Sequence, residues 1–308
     1  MLAALGAATS DDLATLLDDA DAVALVTALR GASDAEIDAL TADAERERAL
    51  VEGVLRRVGD LAVPGQLART HGRVRWELPS GAAHTVDLHP GTPGGTPDVV
   101  VQGSARQLLR LVAGQLDVAV AYLGDQIRFH GASDLALALA ALFAVDGAAP
   151  VTGTPVDVRD IDPVDVSRVL TDVSVDHLRS VLASDFRPVV LDEIFARMPS
   201  YVNGRKAAGV QVTVGFLLTG RPDGEVDRYV LRLRDGQATV LAGEAAGAVR
   251  PEDCQATVTC EAADFLRLVT GHLSAVSGLL RGQLRVSGDK LAALRVNSAF
   301  DVPKAVAG

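Results

Sequence analysis

Apolar positions along this chain change period twice, in the same order each time. After Ser33, the residues Ile37, Leu40, Leu50, Val54 and Leu55 fall at helical spacing. After Ser174, Leu178, Val181, Leu191, Ile194 and Phe195 do the same. Each serine has the side chain of a helix N-cap. The period then shortens to two. In "VQVTVGFLLTG" (210–220), Val212, Val214, Phe216 and Leu218 share one face of a predicted strand. "RPDG" (221–224) carries turn chemistry and joins that strand to "RYVLRLR" (228–234). A second tight turn at "DG" (235–236) leads into "QATVLAG", and "CQATVTC" (254–260) makes a fourth strand. The pattern closes with a helix from about Ala262 to Val269 ended by Gly271, a short helix, a strand at 283–288 and a final helix to Phe300.

The closing block occurs twice. "LRLVAGQL" (109–116) returns as "LRLVTGHL" (266–273), and residues 106–143 laid on 263–300 match at 13 of 38 positions without a gap. Upstream, residues 20–40 parallel 161–181 at an offset of 141 rather than 157, so the second copy carries extra residues in its middle. In the first copy, "RVRWELP" (73–79) and "AHTVDLH" (83–89) match the first two strands, and only "PGTPGGTP" (90–97) separates them from "DVVVQG" (98–103). That copy is expected to lack one strand. Two units are therefore predicted, 1–148 and 149–308, divided in the Gly/Pro/Thr-rich "DGAAPVTGTPVD" (146–157). The expected class is α+β. Each unit is a mostly antiparallel sheet covered by helices on one face, with an added N-terminal helical segment.

The order of these elements resembles the lipid-transfer domain of the sterol carrier protein family. The resemblance rests on Gly114, Leu116, Ile127, Phe129, Gly131 and Phe143 in the first copy. In the second it rests on Gly271, Leu273, Leu284, Val286, Gly288 and Phe300. It covers roughly the C-terminal two-thirds of each unit; the helices at 1–55 and 158–198 fall outside it. It implies an apolar cavity between sheet and helices that holds a lipid, without catalysis. The first copy departs from the pattern by its missing strand. The second departs by Arg295 and Asn297 in the closing helix, where the first has Ala138 and Ala140.

Composition narrows the function classes. The net charge of −11 argues against nucleic acid, which calls for a basic face. The halves differ: residues 1–148 hold 20 acids and 11 bases (net −9), whereas 149–308 hold 20 and 18 (net −2). No apolar run reaches the ~20 residues of a membrane span, and the acidic start does not read as a signal peptide, so a cytoplasmic protein without stable membrane insertion is expected. Two cysteines, Cys254 and Cys260, are too few for a disulfide framework or a zinc site. His84 and His89, five apart in a predicted strand, point to opposite faces and share no metal. No nucleophile elbow or phosphate loop appears. Neither a catalytic residue nor a cofactor is expected.

A hydrophobic small molecule is the expected ligand. In the second unit its lining is predicted from Val212, Val214, Phe216, Leu218, Leu231, Leu233, Leu273, Leu279, Leu280, Leu284, Leu291 and Leu294. In the first it is predicted from Trp76, Tyr122, Leu123 and Ile127. Arg228, Arg232 and Arg234 alternate with apolar residues; they either meet a lipid headgroup or form a solvated outer face. The other reading of the whole chain is a scaffold whose filled cores hold no ligand and whose helices dock a partner or a second copy. An enzymatic accessory role is the third.

Overall fold

A computed structural model of the chain describes residues 1–88, 95–143 and 163–301. The chain divides into Met1–Ile161 and Asp162–Gly308. The boundary expected at 148/149, the linker at 146–157, most of "GTPGG" and His89 lie outside the described residues.

The first unit opens with helices α1 (Leu2–Ala7), α2 (Ser10–Asp19), α3 (Ala22–Gly31), α4 (Asp34–Leu40), α5 (Ala44–Arg56), α6 (Val58–Leu61) and α7 (Pro64–Leu67). A 12-residue period shapes the start. The chain leaves α1, α2 and α3 in extended conformation at Ala8, Ala20 and Ala32. The next helices are capped by the side chains of Thr9, Asp21 and Ser33, the last forming a capping box with Glu36. Leu5, Leu17 and Leu29, like Leu13, Leu25 and Ile37, are twelve apart and fully buried. No left-handed glycine follows any of these helices, so their last carbonyls need donors from elsewhere. Arginines supply them in register. Arg46 reaches the Leu5 and Ala8 carbonyls, Arg57 those of Leu17 and Ala20, and Arg110 those of Leu29 and Ala32.

The sheet of this unit follows: β1 (Arg73–Glu77), β2 (Ala83–Asp87), β3 (Val99–Gln102), then α8 (Ala105–Val112), α9 (Val118–Leu123), β4 (Arg128–Gly131) and α10 (Ser133–Leu142). Strand order is β2-β1-β3-β4. The β1/β3 pair is parallel and the others antiparallel.

The second unit begins with α11 (Pro163–Val169), a 3-10 turn at Leu170–Asp172, α12 (Val175–Val181) and α13 (Arg187–Arg197). Ser174 caps α12, as expected. The sheet comprises β5 (Val212–Thr219), β6 (Asp227–Arg234), β7 (Gln237–Leu241), β8 (Ala256–Glu261) and β9 (Leu284–Gly288), in the order β7-β6-β5-β8-β9. Its helices are α14 (Gly243–Gly247), α15 (Ala262–Val269), α16 (Ala275–Leu280) and α17 (Lys290–Ala299). Again one pair, β5/β8, is parallel. The class is α+β. Among the described residues, the first sheet has four strands and the second five. One addition was not foreseen: α14 covers the face of β6 opposite the main core, where Val230, Ala246 and Val249 bury one another.

The two units end one helix alike. Gly114 and Gly271, at φ +67° and +81°, follow α8 and α15 as left-handed stops. The preceding carbonyl is held from the N-terminal helices in both copies. Arg30 Nε donates to Ala113 at 3.0 Å, and Ser167 Oγ donates to Thr270 at 3.0 Å.

Candidate hydrophobic-ligand site

In the second unit the sheet's inner face carries most of the predicted lining. Val212, Val214, Phe216 and Leu218 of β5 and Leu231 and Leu233 of β6 are all buried. The residues covering them are aromatic. Phe195 of α13 stacks on Tyr229 (ring centroids 3.7 Å apart) and on Phe265 of α15 (4.9 Å), and Phe216 meets Phe195 and Phe265 edge-on at 5.6 Å. Tyr229 turns its hydroxyl to Asp192 Oδ1 at 2.8 Å. Burial first, and that carboxylate second, push its ionisation well above the ordinary tyrosine range. Side chains of the unit itself thus cover part of the β5 and β6 face where a lipid wall is expected. Periodicity identifies an inward face but not what fills it, and Phe195 lies in the helical segment outside the repeat.

The remaining predicted residues gather at β9. Leu273 and Leu284 are buried, and α16 lies close on them. A Cβ on Gly278 would stand 2.8 Å from Leu284 Cγ and 3.5 Å from Leu273 Cδ2. Leu279 and Leu294 are half-buried. Leu280 and Leu291, predicted in the lining, stand in solvent at 83% and 63% exposure. The helices explain this. Gly278 is the one buried residue of the six-residue α16, so Val276 and Leu280, two positions away on either side, face outward. In α17 the buried stripe is Ala292, Val296 and Ala299, which leaves Leu291 beside it.

The first unit closes the same region. Leu123, the repeat partner of Leu280, is 2% exposed, and Val118, Ala119, Ala121 and Tyr122 of α9 are buried with it. Here α9 packs against α10, and Tyr122 tilts onto Phe129 at 3.9 Å. Trp76 and Ile127 are buried too; the indole N–H donates to the Gly103 carbonyl at 3.0 Å. A cleft of about 500 Å³ lies beside them, between the ends of β1 and β3 and the starts of α8 and β4. Its walls mix the polar Glu77, Gln102, Gln107, Asp125 and Arg128 with the apolar Leu78, Pro79 and Ile127.

The charged residues are mostly structural. Arg187, buried at the start of α13, donates to Asp227 Oδ2 at 2.7 Å and to the Leu182, Leu218 and Thr219 carbonyls, tying α13 to the end of β5. Arg228, Arg232 and Arg234 alternate with the inward Tyr229, Leu231 and Leu233. They lie on the outer face, where Arg228 donates to the Val249 carbonyl. Burial pushes the Cys260 thiol up to about 12, leaving it inert. His84 faces α5, and burial lowers its pKa, opposed by Glu52 and aided by Arg48. Among the described residues no group of three His, Cys, Asp or Glu side chains could hold a metal ion. No helix among them is long and apolar enough to cross a membrane.

Comparison with known proteins places these features among others. Residues 183–306, inside the second unit, match the family described as Alkyl sulfatase C-terminal. No curated protein matches the chain. Among solved structures, sterol carrier protein 2 from Yarrowia lipolytica is 21% identical, with 39% of this chain and 98% of that one covered and a TM-score of 0.29. Sterol carrier protein 2 like 2 from Aedes aegypti is also 21% identical, over 35% and 90%, with a TM-score of 0.28. The sec-alkylsulfatase Pisa1 from Pseudomonas sp. is 13% identical over 67% of this chain and 48% of that one, with a TM-score of 0.32. The chain is thus similar over 183–306 to the C-terminal part of alkyl sulfatases, and only distantly similar to each of these structures.

Proposed function

We propose that the second unit binds a hydrophobic small molecule, a single alkyl or acyl chain, where α16 and α17 meet β9, and that it does so without catalysis. The observation that carries this reading is the contrast at one repeat position: Leu123 is sealed, whereas Leu280 is 83% exposed. An alkyl chain lying across Leu279, Leu280, Leu291 and Leu294 would return them to an apolar environment. Removing each methylene from water contributes about 0.8 kcal/mol. The match of residues 183–306 to a family described by alkyl sulfatases fits an alkyl ligand for this unit rather than the first. The sequence resemblance to lipid-transfer domains points the same way.

A scaffold without ligand is the second reading, and the aromatic filling of the β5/β6 face favours it. Native mass spectrometry of the full chain, with displacement of N-phenyl-1-naphthylamine by C12–C16 acids and alkyl sulfates, separates the two. The carrier reading expects a co-purified adduct of lipid mass and saturable displacement, weakened at least tenfold by Leu294→Asp. Bare protein, no displacement and a stable dimer on sizing would establish the scaffold.

A further inference from the structure

We propose that the outward faces of α16 and α17 form a docking surface for an anionic lipid bilayer. Of the large hydrophobic side chains exposed on the described residues, Val276, Leu280 and Leu291 fall within 16 consecutive positions. Val276 and Leu280 are four apart and share one stripe of α16, opposite the packed Gly278. Leu291 and the exposed Arg295 share a stripe of α17 in the same way. Both helices pack against β9, so the apolar groups flank a single strand.

The charge around them is one-sided. Arg281 caps α16, Lys290 opens α17, and Arg295 follows one turn later; all three are exposed. Among the described residues none of the three pairs with a carboxylate, as Arg179, Arg187, Arg197, Lys206, Arg221, Arg250 and Arg267 of the same unit do; Arg205, Arg228, Arg232, Arg234 and Arg285 also lack such a partner, but none of these five lies on α16 or α17. The one acid between 276 and 295 is Asp289, and its Oδ1 is taken by the backbone N–H groups of Leu291 and Ala292 at 2.8 and 3.2 Å. Aliphatic side chains beside unpaired cations match the boundary between acyl chains and anionic headgroups. A protein partner would need on the order of 800 Å² of matched surface; one turn of α17 and the six-residue α16 present less than that. The net charge of −11 does not prevent docking, because screening over about 8 Å leaves the local cations to decide. The inference rests on the carrier reading, since a carrier must meet a bilayer, and it shares Leu280 and Leu291 with that reading; Val276, Arg281, Lys290 and Arg295 belong to the docking surface alone.

Flotation of the full chain with phosphatidylcholine vesicles, with and without 30% phosphatidylserine, tests it. Binding is expected on the anionic vesicles only and is lost at high salt. The R281Q/R295Q variant should lower the vesicle partition coefficient roughly tenfold or more, at about fivefold per cation. L280S/L291S should lower it to a similar degree, and R234Q on the opposite sheet face should leave it unchanged. These side chains are exposed, so unchanged urea midpoints confirm that the variants fold. No flotation of the wild type, with naphthylamine binding intact, overturns the docking surface and leaves the carrier reading standing. Flotation without naphthylamine binding does the reverse. A wild-type dimer that L280S/L291S makes monomeric assigns the surface to a second copy and overturns the bilayer.

Discussion

Glycine stands at 131 and at 288 because nothing larger fits. Each has positive φ, +106° and +79°. A Cβ there would lie 2.2 Å from the Asp98 carbonyl oxygen in one unit and 2.4 Å from that of Gln255 in the other. Backbone cannot yield as a flexible side chain does. Gly288→Ala is therefore expected to lower stability by about 2–4 kcal/mol, from left-handed strain plus overpacking, read as the urea midpoint of the second unit. An unchanged midpoint would mean that β8 and β9 can separate at that end. His84 gives the first unit a pH response. Burial lowers its pKa, so folding favours the neutral ring. That stability is present above about pH 6.5, the unfolded value, and is lost as pH falls from there through the folded value. A melting-temperature profile of His84→Leu should be flatter between pH 6.5 and 5 than that of the wild type. Asp223 responds lower: the hydrogen bond from Arg221 holds its carboxyl at about 2, and its support persists down to the ordinary carboxylate range before fading.

At the level of elements, much could be read in the sequence. The strand faces at 212–218, the N-caps Ser33 and Ser174 and the stops Gly114 and Gly271 all follow from local chemistry, and the structure has them. Two features could not be read with a single helical period. The 12-residue period of α1–α3 is spread over three helices, and only the spacing of Leu5, Leu17 and Leu29 from one another betrays it. The filling of the ligand space came from Phe195, whose helical pattern is that of any core residue. The repeat position 110/267 shows how one residue type serves two architectures. Arg110 donates to two carbonyls of the α3 end and to Asp34, whereas Arg267 reaches only Asp264, at 3.5 Å. Arg110→Met should therefore cost about 2–3 kcal/mol, and Arg267→Met less than about 1 kcal/mol. Equal losses in urea titrations would show that the carbonyl ties do not hold the helical array.

As a whole, the chain comprises two compact units. Each has its own sheet, its own aromatic or aliphatic core and its own N-terminal helices. Residues 162–308 expressed alone should show a cooperative urea transition and dispersed amide spectra. A molten fragment would make the second unit dependent on the first.

A tandem chain faces a hazard that a lone copy does not. While unfolded, two related sheets are tethered at an effective concentration in the millimolar range, and a strand of one can complete the other. Such an exchange would start at an edge strand: β2 or β7, or the pair β4 and β9. Both carry an arginine at the same repeat position, Arg128 and Arg285, and both are exposed. Charge on an open edge discourages added strands. Arg128→Val with Arg285→Val is therefore expected to leave the urea midpoints of the dilute chain unchanged and to raise its light scattering on concentration; unchanged scattering would show that these two charges do not guard the edges.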